Sequence, residues 1–197
     1  MALLKDMVDI NSFTRNPAGV NRLGEFTALR FADLGFDAER IESRNPAFGA
    51  HVVVSRPGTS GRKIGLVTHL DTVFPAEEEA ANGFRFRAEG DRLYGPGTVD
   101  IKGGTVMIYM VMDALRACVP AVFEAITWDV LLDAARNPVA PSPATSGWYV
   151  RASFLCAAAI TSSVADRSTP RIAYGSLVLV TTISPNDLRI GLRLPIR

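Results

Sequence analysis

The chain has 197 residues, 48% of them hydrophobic, a formal net charge of +1, two cysteines and two histidines. This is enough apolar material for one core and too little charge for a nucleic-acid or strongly anionic partner. Cys118 and Cys156 are spaced neither as a disulfide framework nor as a metal-binding pair, which favours a reducing, cytoplasmic setting.

Leu3, Leu4, Met7 and Val8 recur at helical spacing, but Lys5, Asp6 and Asp9 interrupt the apolar pattern. The segment therefore reads as an amphipathic helix end and not as a secretory leader, and no run reaches transmembrane length, so no membrane partner is expected. Asn16 and Pro17 form an N-cap with proline at the first helical position; Val20, Leu23, Phe26 or Thr27, Phe31 and Leu34 mark the buried face of the helix that follows, and Gly35 ends it. Residues 36–41 and 50–55 read as strands, with His51 opening the second; it has no acidic neighbour in sequence to make it a metal ligand. Lys63 to Thr68 (KIGLVT) is a buried strand after the turn PGTSG, and His69 stands at its C-terminal end, where open α/β sheets collect ligands.

In THLDTVFP, residues 68–75, side-chain alternation points His69 and Asp71 the same way, so that a carboxylate receives one ring N–H while the other nitrogen faces a cation. Glu77, Glu78 and Glu79 read as a solvated loop. Residues 84–94 form a hairpin that delivers the chain to LYGPGTVDIKGG, in which Asp100 offers a charged oxygen between glycine-controlled turns. From Lys102 to about Ala117, Val106, Met107, Met110, Val111, Ala114 and Leu115 form a broad stripe that predicts a largely buried helix with methionines as core filler. Residues 125–132 (AITWDVLL) are the next, parallel strand.

The two motifs together resemble the dinuclear zinc aminoacylase and carboxypeptidase family, which includes glutamate carboxypeptidase, acetylornithine deacetylase and succinyl-diaminopimelate desuccinylase. The resemblance covers residues 1–135. It implies an α/β fold, an incomplete zinc-exopeptidase-like catalytic domain whose mostly parallel sheet is flanked by helices. It also implies that His69 is a ligand of one zinc, Asp71 its catalytic orienting partner, and Asp100 the carboxylate bridging both zincs. The activity implied is hydrolysis of an amide or peptide bond next to a free carboxylate, with water activated by two zincs and a small peptide or N-acyl amino acid as substrate.

Such a site also needs a Glu-Glu pair, a later acidic ligand and a distal histidine. After Leu132 the chain reads DAARNPVAPSP, and its histidines are His51 and His69. The expectation is thus a truncated, inactive member holding at most one zinc weakly, without room for the family's dimerisation domain. The alternative is a catalytically dead remnant or partner-binding fragment with a fused C-terminal module. Residues 136–197 contain no Glu or Lys and half of the chain's prolines, and their apolar runs, Phe154 to Ile160 and Ser176 to Thr182, lack consistent caps. This tail has no assignable fold and reads as translated out of the ancestral frame.

Overall fold

The computed structural model describes residues 1–134 and the strand residues Thr181 and Thr182. Its elements run α1 (Ala2–Val8), α2 (Pro17–Ala32), β1 (Asp37–Ile41), β2 (His51–Arg56), β3 (Lys63–His69), α3 (Ala76–Ala81), β4 (Arg87–Glu89), β5 (Arg92–Tyr94), α4 (Lys102–Cys118), α5 (Pro120–Ala125), β6 (Thr127–Asp133) and β7 (Thr181–Thr182). The start of α2 follows from its sequence: the Asn16 side chain accepts from the Gly19 N–H at 3.1 Å, while Pro17 occupies a position whose N–H has no helical partner. Gly35 adopts φ +82° just past the helix, where a residue with a side chain would be strained.

The main sheet has the order β1-β2-β6-β3-β7. The α/β class holds, but the direction of the sheet differs from expectation. Of the described pairings, β3 with β6 is parallel, whereas β1 with β2, β2 with β6 and β3 with β7 are antiparallel. The chain passes from Ile41 to His51 without a crossover helix, and a short connection of that kind joins antiparallel neighbours. The β4–β5 hairpin is separate.

One face of the sheet carries Val52, Val54, Leu66, Trp128, Val130 and Leu132, which pack with Val20, Leu23 and Phe31 of α2 and Ile108 and Met112 of α4. Removing each such side chain from water contributes roughly 1.5–3 kcal/mol. The other face carries a smaller cluster of Ile41, Val53 and Leu131, with Val67 against it.

Two further expectations are corrected. The acidic run is helical, as α3, because Pro75 starts a turn in which Glu77 to Glu79 lie near the positive helix end. The stripe on α4 is not largely buried: Met107, Met110 and Val111 are exposed, and the buried side of the helix is Lys102, Gly104, Thr105, Ile108 and Met112. The tail readings for residues 136–197 lie outside the described residues, apart from Thr181 and Thr182.

Candidate metal centre

Alternation along β3 sends Leu66 and Thr68 into the helix-covered face, where the Thr68 and Thr105 hydroxyls lie 2.8 Å apart. Val67 and His69 fall on the other side, and His69 stands in register with Asp133 at the end of β6. The imidazole is about one-third exposed, and both of its nitrogens are engaged. Nδ1 lies 3.0 Å from the backbone carbonyl of Asp71 and 3.3 Å from its carboxylate, while Nε2 lies 3.0 Å from Oδ1 of Asp100. Asp71 therefore holds the ring through its main chain as well as its side chain. The Thr14 hydroxyl donates to Oδ2 of the Asp71 carboxylate at 2.5 Å.

Asp100 arrives on the loop between β5 and α4, with its side chain 76% exposed and its peptide bond to Ile101 cis. Gly97 in that loop has φ +76°, and an added Cβ would sit 2.9 Å from the Thr72 side chain, so the loop lies directly against the turn that follows His69. Burial disfavours a charged imidazole, but the hydrogen bonds to Asp100 and Asp71, together with their negative charges, outweigh it and hold His69 up at about 10. At neutral pH the ring is an imidazolium shared between carboxylates, and its Nε2 proton stands where those side chains would share a cation.

The donor chemistry fits zinc, which takes imidazole nitrogen and carboxylate oxygen. His69 Nε2 and Asp100 Oδ1 supply such donors from opposing loops. Among the described residues, no group of three or more His, Cys, Asp or Glu side chains gathers to hold a metal. The described residues thus bring together two donors of the type zinc takes, His69 and Asp100, with Asp71 against the other ring nitrogen.

Sequence reasoning missed several polar residues around this centre. His51, 1% exposed, has Nδ1 2.6 Å from Oδ1 of Asp133 and 3.2 Å from the Ala134 amide. Its acidic partner lies 82 residues on in the chain, beyond reach of any local pattern. Lys102, also 1% exposed, donates from Nζ to the Ile10 carbonyl at 2.9 Å. Its burial pushes the ammonium down to about 8 against the opposing pull of Glu79 and Asp9. Glu79 is accordingly no purely solvated charge: its Oε1 is buried. The motif glycines around Asp100 were the signal for a controlled loop, but nothing local announced that the intervening lysine points inward.

The model of peptidase family M20/M25/M40 matches residues 65–124, the segment that contains His69, Asp71 and Asp100. The chain is 33% identical over 113 residues to carboxypeptidase G2 of Pseudomonas sp. (strain RS-16), covering 57% of this chain and 27% of that protein. It is 35% identical over 107 residues to succinyl-diaminopimelate desuccinylase of Nitrobacter hamburgensis, covering 53% of this chain and 27% of that protein. The chain thus spans 27% of the length of these curated relatives. In fold it resembles human carnosine dipeptidase 1, with a TM-score of 0.54, 17% identity, and coverage of 66% of this chain and 30% of that one.

Proposed function

The N-terminal part of this chain belongs to peptidase family M20/M25/M40, and from that premise we propose that its chemistry is metal-dependent hydrolysis of an amide or peptide bond next to a free carboxylate. A small peptide or N-acyl amino acid is the substrate. The observation that carries the reading is the 3.0 Å approach of His69 Nε2 to Asp100 Oδ1 with Asp71 against the other ring nitrogen. In this reading His69 and Asp100 hold zinc, and Asp71 fixes the ring so that Nε2 faces the ion. Bound zinc supplies Lewis-acid polarisation of the scissile carbonyl and a lowered pKa for water. Thr14 restrains the Asp71 carboxylate, and the exposed Asp100 leaves the centre open to a substrate from solvent.

The proposal divides the chain into a partial catalytic domain, residues 1–135, and a tail, residues 136–197, out of the ancestral frame, and sets it in the cytoplasm. A structural zinc site takes four protein ligands and a catalytic one three, against the pair identified here. This favours one weakly held ion and no turnover by this polypeptide. The second reading, an inert remnant or partner-binding fragment with a fused module, rests on the same count among the described residues.

Calorimetric zinc titration together with an assay on N-acyl amino acids and dipeptides tests these readings. One weak equivalent, lost in His69→Ala, with no hydrolysis is expected. Two tight equivalents with turnover that disappears in Asp100→Asn would mean that further residues complete the site; no zinc binding at all would leave the remnant reading.

A further inference from the structure

We infer that Lys102 is a positioning residue for the candidate metal centre: its buried ammonium pins the Asp100 loop to the same segment, residues 10–14, that anchors the turn after His69. This inference rests on the metal-site reading of His69 and Asp100. The turn side of the arrangement is plain in the hydrogen bonds. Thr14 N donates to Thr72 O at 2.9 Å, Thr72 N donates to Ser12 O at 2.8 Å, and the Thr14 hydroxyl holds the Asp71 carboxylate. The loop side runs through Lys102. Its amide closes the loop onto Gly97 O at 2.8 Å, and its side chain then passes beneath the loop, with Cδ 3.2 Å from where a Gly97 Cβ would lie. Beyond that contact, Nζ reaches the Ile10 carbonyl, 92 residues away in the chain, at 2.9 Å.

The choice of a lysine is informative. Burying an ammonium costs several kcal/mol of desolvation; an apolar side chain would avoid that cost but leave the Ile10 carbonyl without this donor, so stability alone does not call for a lysine. Replacing the charge of Lys102 by methionine therefore removes the directional bond to Ile10 while leaving the packing. What a hydrogen bond of fixed length adds is register. With the loop fixed through Lys102 and the turn fixed through Thr14, Asp100 and His69 are held to one common segment, and their 3.0 Å approach is set before any ion arrives.

The test compares Lys102→Met with the unaltered full chain, and uses Ile108→Ala, a core substitution on the same helix, as a control for general destabilisation. Thermal melting, zinc titration, and the hydrogen-bonded imidazole N–H signals of metal-free, 15N-labelled chain at pH 7 are measured for each. Lys102→Met is expected to stay folded and melt no lower than Ile108→Ala, to bind zinc about tenfold more weakly, and to lose the hydrogen-bonded His69 Nε2–H signal. Ile108→Ala is expected to melt lower with that signal intact. The inference is overturned if Lys102→Met keeps both the signal and the zinc affinity, or if it fails to fold, since the ammonium would then serve stability alone. Absence of zinc binding by the unaltered chain would count against the metal-site reading, whereas the imidazole signal, which needs no metal, still decides the role of Lys102.

Discussion

At the scale of single residues, the protonation of His69 makes a quantitative demand on metal binding. A free histidine is half-protonated near 6.5, whereas here the two carboxylates hold the ring at about 10. A cation can take Nε2 only by displacing its proton, so at neutral pH zinc competes with a tightly held hydrogen ion. The sign is fixed: raising the pH weakens the competitor. Apparent zinc affinity should therefore climb about tenfold per pH unit between pH 7 and 9 and level off near the pKa of the ring, with about one proton released per ion bound. Calorimetry in buffers of different ionisation enthalpy reads both quantities, and a pH-independent affinity would show that His69 is not a ligand. How legible these residues were depends on distance along the chain. His69, Asp71 and Asp100 announced themselves because each sits in a compact motif at a strand end or a glycine-bounded loop. Thr14, His51 and Lys102 did not, because their partners Asp71, Asp133 and Ile10 lie 57, 82 and 92 residues away. A buried hydrogen bond between distant segments leaves no period or spacing to read.

At the scale of elements, local signals worked where one segment satisfies its own backbone and failed where tertiary packing chooses. The cap of α2 is the clearest local case, and it reaches further than a cap alone. Besides accepting from Gly19, Asn16 donates through Nδ2 to the Asn11 side chain at 3.1 Å and to the Asn11 carbonyl at 3.3 Å, so the helix start is fastened to the segment that braces the metal-site turn. Asn16→Ala should lower unfolding stability by about 1 kcal/mol. Asn16→Asp, which keeps the acceptor for Gly19 but loses the donors, should fall between the two. Denaturant titrations with an unchanged slope check this, and an Asp variant as weak as Ala would mean that the Asn11 bonds, not the cap, carry the stability. By contrast, the apolar stripe of α4 was too broad to say which side faces inward. The sheet selects Thr105, Ile108 and Met112, with the Thr105 hydroxyl meeting Thr68, and leaves Met107, Met110 and Val111 outside. Strand direction failed for a similar reason. The β3–α4–β6 unit is parallel as its helical crossover requires, but β1 and β2 add antiparallel strands whose direction depends on the short link from Ile41 to His51.

At the scale of the whole molecule, the sequence signals are mutually consistent through Asp133, and the composition changes after Ala135. Up to that point caps, strand alternation and motif glycines all support one fold, which is what a sequence shaped for its structure displays. From residue 136 onward acidic residues become scarce, lysine is absent and prolines crowd, all at once. A single lost base would account for the coincidence. The family resemblance calls for a Glu-Glu pair after ITWDVLLDAA, and Arg136 and Asn137 stand there instead. If Ala135 is encoded GCG, Arg136 AGG and Asn137 AAT or AAC, reading from the third base of the Ala135 codon gives GAG GAA, the missing pair. An alanine codon needs only GC in its first two places, so such a loss would leave alanine at 135 whichever third base went. The codons of Pro138, Val139, Ala140 and Pro141 then permit Ser or Pro followed by Gly, Ser and Pro, which completes the family's Glu-Glu-x-Gly-Ser-Pro. The expected result from sequencing the gene is GCG AGG AAY at codons 135–137, with an open, family-like frame continuing downstream of it. Restoring one base at codon 135 should then yield a chain whose zinc affinity exceeds that of the present one and which hydrolyses N-acyl amino acids or dipeptides. Other codons at these positions, or a downstream frame closed by stops, would remove the frame loss as the cause and leave residues 136–197 as a fused module.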